Sequence, residues 1–376
     1  MFNQIPVLSI IANLVAIPWV TMITMPLLLL SAILLFINAS MASALYIAGL
    51  YSLNIIWYYL EYLARFDIFR YVLPTPSVWI LLIALFGLII LLLPLSFPGR
   101  FIASVWLLPL IFPLNNAPKF GDFNVNVLDV GQGLSIIIRT QNHILLYDTG
   151  PGSSSGNNAG LSVVLPYLNH LGYKHIDKIV LSHGDNDHIG GLTDILSRIE
   201  VFSIISSVPE KINNIASNYC LTGQVWRWDN VTFEILHPEK PASFSGNNAS
   251  CVLKIGVGKD SILLTGDIEA DAEYSLLAKN VNKLGASVLI APHHGSLTSS
   301  SASFIRAVSA QDVIISSGYL NRFRLPNQDI INKYEASGAN IFNTATDGAI
   351  IVKYINGDFS VMSEREVSSK FWNFKK

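Results

Sequence analysis

The sequence predicts a multi-domain chain: an α-helical transmembrane segment over residues 1–118, then a layered α/β or α+β domain over residues 119–376. Three observations predict it. The first is charge. The opening 60 residues hold no Asp, Glu, Lys or Arg, and only Glu61, Arg65, Asp67, Arg70 and Arg100 precede Lys119. The other 21 of 24 basic and 24 of 26 acidic residues follow, which separates a lipid-buried region from a globular one. Second, from Phe123 onward short apolar runs of strand length alternate with stretches of helical length, the pattern of sheets with helices packed outside. Third, several of those apolar runs end in Asp or His.

In the first part, residues 7–36 are interrupted by Pro18 and Pro26 and exceed the roughly 20 residues one span needs. A broken or interfacial segment leading into a spanning helix is expected there. A second span is expected over about 41–60, ending in the interfacial cluster Trp57-Tyr58-Tyr59. A third is expected over about 78–97. The stretch 101–117, with Pro109 and Pro113, is short enough to lie in or dip into the membrane. No basic n-region or cleavage site marks a signal peptide. Met1 runs straight into apolar sequence, as a piece of a longer protein would.

In the second part, strands are expected at 123–130, 135–139 and 144–147, the last delivering Asp148-Thr149-Gly150, then a Gly/Ser/Asn loop over 150–160. Helices at about 161–171 and 190–198 alternate with strands at 178–182 and 201–206. Strands at 232–236, 251–257 and 261–264 follow, the last delivering Asp267. A helix over 269–280 leads to a strand at 287–290 that ends in Pro292-His293-His294-Gly295-Ser296. Helices at 302–309 and 327–336, and strands at 313–316 and near 340, 349 and 358, complete the pattern.

The motif with the most chemistry is KIVLSHGDNDHIGG, residues 178–191. A buried apolar strand there presents His183, Asp185, Asp187 and His188 within six residues. Burying such groups unpaired costs roughly several kcal/mol each, and a divalent cation cancels that cost. In a layered α/β domain, strand ends converge on one sheet edge. Asp148, Asp267, His293 and His294 are therefore expected to join this motif in one site. The second part is net acidic, near minus three, which argues against broad electrostatic capture of nucleic acid. Cys220 and Cys251 can pair or stay free.

These motifs resemble the metallo-β-lactamase superfamily, whose signature HxHxDH is followed by a distant His, a bridging Asp and a final His. His183, Asp185, Asp187 and His188 match it, with Asp185 where the second His stands. More narrowly, VLDVGQG (with Asp129 and Gln132), SHGDNDHIGG, NNAS (with Asn248 and Ser250), LLTGD and PHHGS resemble the C-terminal domain of the ComEC family of DNA-internalisation competence proteins. The first part is similar to the end of that family's membrane channel domain. No His occupies the third-motif position, where Asn248 and Ser250 stand. His237 is nearby, but a His before Pro at a strand end suits a structural role.

The resemblance implies an αββα sandwich and divalent metal ions, two of Zn or Mn. Fewer imidazoles and more oxygens shift the preference from Zn toward Mn or Mg, with Zn still open. The expected ligands are His183 and Asp185 with His293 or His294 for one ion, and Asp187 and His188 for the other, with Asp267 bridging. The ions would polarise a phosphodiester and acidify a water. The His of the HHGS pair that holds no metal would protonate the leaving group. Ser296 is expected to touch a phosphate oxygen or to cap the next helix. Asp129, Gln132, Asp148, Asn248 and Ser250 are supporting residues. The implied function is a multi-pass inner-membrane protein of DNA uptake, its outer-side domain acting as a nuclease on the non-imported strand. Its implied partners are single-stranded DNA, the membrane, other competence proteins and further copies of itself. The rival readings are a passive channel component with a catalytically weak domain, and a membrane-anchored metallohydrolase of small molecules.

Overall fold

The computed structural model describes all residues except 1–3, 7, 67–69, 73–74, 95, 113–116, 154–155, 157, 213–215, 242 and 369–376. The chain divides into two compact units near residue 113.

In the first unit the expected break at Pro18 and Pro26 is absorbed. Leu8–Trp19 is α-helical, Val20–Thr24 widens into a π turn, and Met25–Leu34 continues as α-helix. The result is one rod of 27 residues, Leu8–Leu34. Pro26 falls in the first turn of the last piece, directly after the π turn, whose altered hydrogen-bond register accommodates the prolines without breaking the rod. A second rod, Ala39–Ala64, is capped by Asn38, whose side chain accepts from Ser40 N and Met41 N. Both rods are long and apolar enough to cross a membrane. Hydroxyls join them: Ser31 Oγ donates to Ala42 O at 2.8 Å, and Thr24 Oγ1 and Ser52 Oγ lie 2.7 Å apart. Such bonds stabilise helix pairs where burial of apolar surface supplies no driving force.

The third expected span is shorter than the sequence suggests. Its helix covers Val78–Leu91, 14 residues, and stops before Pro94, which cannot continue a helix. The next stretch forms a 3₁₀ helix, Arg100–Leu107, and one α turn, Leu108–Ile111; residues 113–116 of the expected stretch lie outside the described residues.

The second unit is built on two sheets. The first has eight strands in the order Ser217–Tyr219, Ile204–Ser206, Lys178–Leu181, Ile144–Tyr147, Ile136–Arg139, Phe123–Val127, Ile350–Ile355 and Asp358–Ser363. The second has seven: Val225–Trp228, Val231–His237, Val252–Val257, Asp260–Leu264, Val288–Ile290, Asp312–Ile315 and Asn340–Asn343. Their inner faces share one core that includes Val125, Ile136, Tyr147, Val180, Phe233, Leu253, Leu264 and Ile290. The outer face of the first sheet is covered by Leu165–Leu171 and Leu192–Arg198. The outer face of the second is covered by Ala270–Leu284, Ala302–Val308 and Gln328–Ala336. The architecture is an αββα sandwich.

Strands covered on both faces read as unbroken apolar runs, and every residue of Ile144–Tyr147 is buried. What positions the site is strand direction. Ile144–Tyr147 runs parallel to Lys178–Leu181, and Asp260–Leu264 runs parallel to Val288–Ile290, which runs parallel to Asp312–Ile315. Within each group, residues that follow the C-terminal ends therefore gather at one edge.

Two local details differ from expectation, and the open cysteine alternative is decided. The helix expected over 190–198 is Leu192–Arg198, and an additional short helix, Asn186–Ile189, precedes it across Gly190-Gly191. Edge strands Ser217–Tyr219 and Val225–Trp228 are additions to the expected pattern, because their half-exposed mixed residues lack the apolar run of a central strand. Cys220 and Cys251 form a disulfide, with Cα atoms 6.1 Å apart.

Candidate metal centre

Asp148 follows Ile144–Tyr147 in the left-handed region, at φ 58°. It is fully buried, and three donors meet its carboxylate. Ser182 N reaches Oδ1 at 2.7 Å; Ser182 Oγ and His188 Nδ1 reach Oδ2 at 2.6 and 2.7 Å. The Ser182 hydroxyl proton is thus committed to Asp148. Its oxygen accepts from His183 Nδ1, 3.0 Å away. Across the site, His294 Nδ1 donates to Ser316 O at 2.7 Å. This proton accounting gives His183, His188 and His294 the same tautomer, Nδ1 protonated and the Nε2 lone pair free.

All three Nε2 atoms are buried without a hydrogen-bond partner. Asp267 faces two of them at ion-pair distance: Oδ1 is 3.2 Å from His188 Nε2 and Oδ2 is 3.4 Å from His294 Nε2. Asp187 Oδ2 lies 3.4 Å from His294 Nε2 and 3.8 Å from His188 Nε2. One ligand atom from each of Asp187, His188, Asp267 and His294 fits within 4.8 Å of the others. Buried polar atoms are normally satisfied. Orphaned nitrogens aimed at two carboxylates, with their Nδ1 atoms anchored behind, are the arrangement a divalent cation completes. The residues present fit such an ion.

Close backbone approach makes the cluster possible. Gly266, at φ 55°, lies so near Ser182 that an added Cβ would meet the Ser182 Cβ at 2.7 Å; only glycine lets the Asp267 turn sit against the His183 strand end. His293 and His294 adopt φ of 48° and 55°. A non-glycine residue held there costs roughly 1–3 kcal/mol. The turn sends the two rings to different places.

Without a metal, the charges hold one another. Burial disfavours the imidazolium of His188, but the Asp267 and Asp148 carboxylates outweigh it and hold its pKa well above the usual value. Burial likewise opposes the charge on His294, yet Asp267 and Asp187 push it up to about 9. Asp267 resists ionisation through burial, but His188 and His294 pull it well below the usual carboxylate range. Asp187 is lowered in the same way, by His294 and His188 against burial.

The remaining expected site residues divide. His183 lies beside the cluster, its ring 4.2 Å from that of His188, and Asp185 stands 3.7 Å from it with its side chain half exposed. His294 therefore stands with Asp187 and His188. His293 turns outward: Nδ1 contacts Thr298 Oγ1 at 3.0 Å and Glu269 Oε1 at 3.3 Å, and Nε2 stays 3.9 Å from Asp267. Ser296 Oγ meets Thr298 Oγ1 at 3.1 Å; the cap of the following helix is Ser301.

Ser250 Oγ accepts from Asp267 N at 3.1 Å, and Asn248 Oδ1 accepts from Glu269 N at 2.9 Å. Both brace the Asp267 turn. Gln132 Oε1 accepts from Gly318 N at 3.2 Å, and Asp129 is exposed and accepts from Gly131 N at 3.3 Å. His237 Nε2 donates to Asn248 O at 2.8 Å, a structural bond. His143 and His175 flank Asp177 beyond the opposite end of the strand that carries Asp148. Ser182 lies within the His183 motif without an expected role there, its hydroxyl directly before His183 being the available signal; Glu269 joins the site with no sequence signal pointing to it.

Residues 128–319 match the metallo-beta-lactamase superfamily, and residues 1–98 match the competence protein family. Competence protein ComA of Neisseria gonorrhoeae is 33% identical over 376 residues, which is 100% of this chain and 52% of that protein. ComE operon protein 3 of Bacillus subtilis (strain 168) is 28% identical over 404 residues, covering 98% of this chain and 51% of that protein. The chain thus spans about half the length of these relatives. The solved structure of a diphosphatase from the PhnP family is 16% identical, with 62% of this chain and 98% of that one covered at a TM-score of 0.38. The chain belongs to the metallo-β-lactamase superfamily, with its hydrolase-type domain joined to a competence-protein segment.

Proposed function

We propose that this chain is the part of an inner-membrane DNA-uptake protein that ends the channel, over residues 1–118, and carries a metal-dependent phosphodiesterase over residues 119–376. Its substrate is single-stranded DNA, the strand not imported. The observation that carries the reading is the Asp187, His188, Asp267 and His294 cluster, with its buried, unpartnered imidazole nitrogens. The competence-family match of residues 1–98 supports the DNA.

Asp187, His188, Asp267 and His294 hold Zn or Mn, with His183 and Asp185 beside them for a second ion. Bound there, divalent cations polarise a phosphodiester oxygen and make water a stronger acid. The chain's own residues do the rest. Asp148, Ser182 and Ser316 fix the imidazoles in the tautomer that presents Nε2. His293, with Nδ1 on Thr298 and Glu269 and Nε2 3.4 Å from Asn247 Nδ2, is the imidazole of the pair left outside the cluster to pass a proton to the leaving oxygen. The Cys220–Cys251 disulfide supports an oxidising compartment for this domain, the outer side of the inner membrane.

The test is cleavage of labelled single-stranded DNA by the purified full chain with Mn²⁺ or Zn²⁺. Wild type should cut it, and Asp187→Ala should lose at least about a hundredfold in rate, since it removes a ligand of the ion and loss of even a residue that supports a ligand costs about 10–100-fold. A metal-loaded wild type that leaves the strand intact sinks the proposal.

A further inference from the structure

A domain of net negative charge has to hold an anionic strand with something local, and one loop beside the centre has the chemistry to do it. Residues 317–326, SGYLNRFRLP, leave the sheet after Asp312–Ile315. Ser316, just before them, takes the Nδ1 proton of His294 on its carbonyl and donates from Oγ to Gly133 O at 2.7 Å. The loop is pinned at both ends. Gly318 N donates to Gln132 Oε1 at 3.2 Å, and Asn327 N donates to the carbonyl of Gly295, the residue after His294, at 3.0 Å.

Asn321 stitches the interior. Its Nδ2 donates to Gly318 O at 2.9 Å and to Leu325 O at 2.5 Å, while its Oδ1 accepts from Leu325 N at 3.0 Å. The backbone is therefore organised in advance, and yet the side chains it presents face solvent. Tyr319, Leu320 and Phe323 are 69%, 85% and 55% exposed, and Arg322 and Arg324 are exposed with them. The Arg322 guanidinium lies over the Phe323 ring, 4.6 Å from its centroid. No acidic residue occurs between 313 and 328, and among the described residues no ion pair engages either arginine.

We infer that this loop holds single-stranded nucleic acid at the rim of the metal centre, with bases stacked on Tyr319 and Phe323 and phosphates on Arg322 and Arg324. Exposed aromatic rings interleaved with cations are how proteins grip single strands without reading sequence. A bilayer-docking loop would share the residue types. Here, though, both ends are tied to residues that back or follow the ligands, which favours an occupant that must reach the centre. The inference rests on the hydrolase reading above and names the element that presents its substrate.

The test uses the full chain in nanodiscs, with EDTA present so that nothing is cut, and reads fluorescence anisotropy of a labelled oligo(dT) across a KCl series. Tyr319→Ala with Phe323→Ala should raise Kd by about tenfold or more, and Phe323→Trp should keep the wild-type value. Arg322→Ala with Arg324→Ala should reduce the slope of log Kd against log salt by about 1.4, about 0.7 per lost phosphate contact. Unchanged melting temperature and metal content establish that the variants fold. The inference is overturned if the double variants keep wild-type Kd and slope, or if wild type binds no oligo(dT). It is equally overturned if the loop variants lose binding to phosphatidylglycerol vesicles while holding oligo(dT) unchanged. Cleavage with Mn²⁺ is scored separately. Double variants that cut and bind normally remove the loop and leave the hydrolase reading, whereas a wild type that grips through the loop but cuts nothing removes only the hydrolase reading.

Discussion

Asp148→Asn is the sharpest probe of how the centre is assembled, because it removes one negative charge and turns one acceptor oxygen into a donor with almost no change in volume. In the native site the Asp148 carboxylate accepts from Ser182 N, Ser182 Oγ and His188 Nδ1. An asparagine keeps its carbonyl for Ser182 N and turns its amide toward Ser182 Oγ and His188 Nδ1. A donor then faces Nδ1, so His188 has to release that proton and carry one on Nε2, the atom aimed at Asp267 and Asp187. The logic is that of a catalytic histidine left in the wrong tautomer when its aspartate becomes asparagine. Loss of a residue that orients a metal-bound histidine costs about 10–100-fold in affinity, or about 1.4–2.8 kcal/mol. Competition with a chromophoric chelator measures it directly, and thermal melting of the metal-free protein controls for folding. An Asp148→Asn variant that melts normally and binds Zn²⁺ or Mn²⁺ as tightly as wild type would refute the assignment of His188 Nε2 as a ligand.

Two further outcomes follow from the same geometry. His188 and His294 carry raised pKa values in the metal-free site, His294 at about 9, so a cation entering at pH 7 has to displace their protons. Affinity should strengthen as pH rises toward about 9, and calorimetric heats should differ between buffers of unlike ionisation enthalpy; identical heats would contradict this. For the metal-free fold the sign reverses: a raised histidine pKa contributes stability that is complete below about 6.5 and lost as pH rises through about 9. Melting temperature of the apoprotein should therefore fall between those values. Separately, the Cys220–Cys251 bond closes a separation of 31 residues, for which chain entropy gives about 3–4 kcal/mol. Cys220→Ser with Cys251→Ser should lower the urea midpoint accordingly. Reductant should produce the same loss in wild type and none in the variant.

Much of the fold was legible because its signals are local. Asp148, Asp267 and the His293-His294 pair each follow an apolar run of strand length, and a run of that kind forms a covered strand wherever the chain places it. The third span misled for a local reason too. Hydropathy stays high across 78–97, but Pro94 ends the helix, and composition does not count hydrogen bonds. Strand Val225–Trp228 was invisible because an edge strand, half in solvent, needs no apolar run to be stable.

The amino-acid order alone determined the partition into an apolar, charge-poor segment and a charged domain, and it supplied most of the side chains of the candidate site. Solvation and backbone periodicity act on neighbours in the chain, so both are written there. Only the tertiary structure decided that His294 enters the cluster while its neighbour His293 turns to Thr298 and Glu269. It also decided that Ser182 ties Asp148 to two histidines, and that Cys220 meets Cys251. These depend on which strands lie side by side, in which direction and register, and on a left-handed turn that splits two adjacent rings. Such pairings join residues far apart in the chain, and their energy exists only once the sheets have closed on one another.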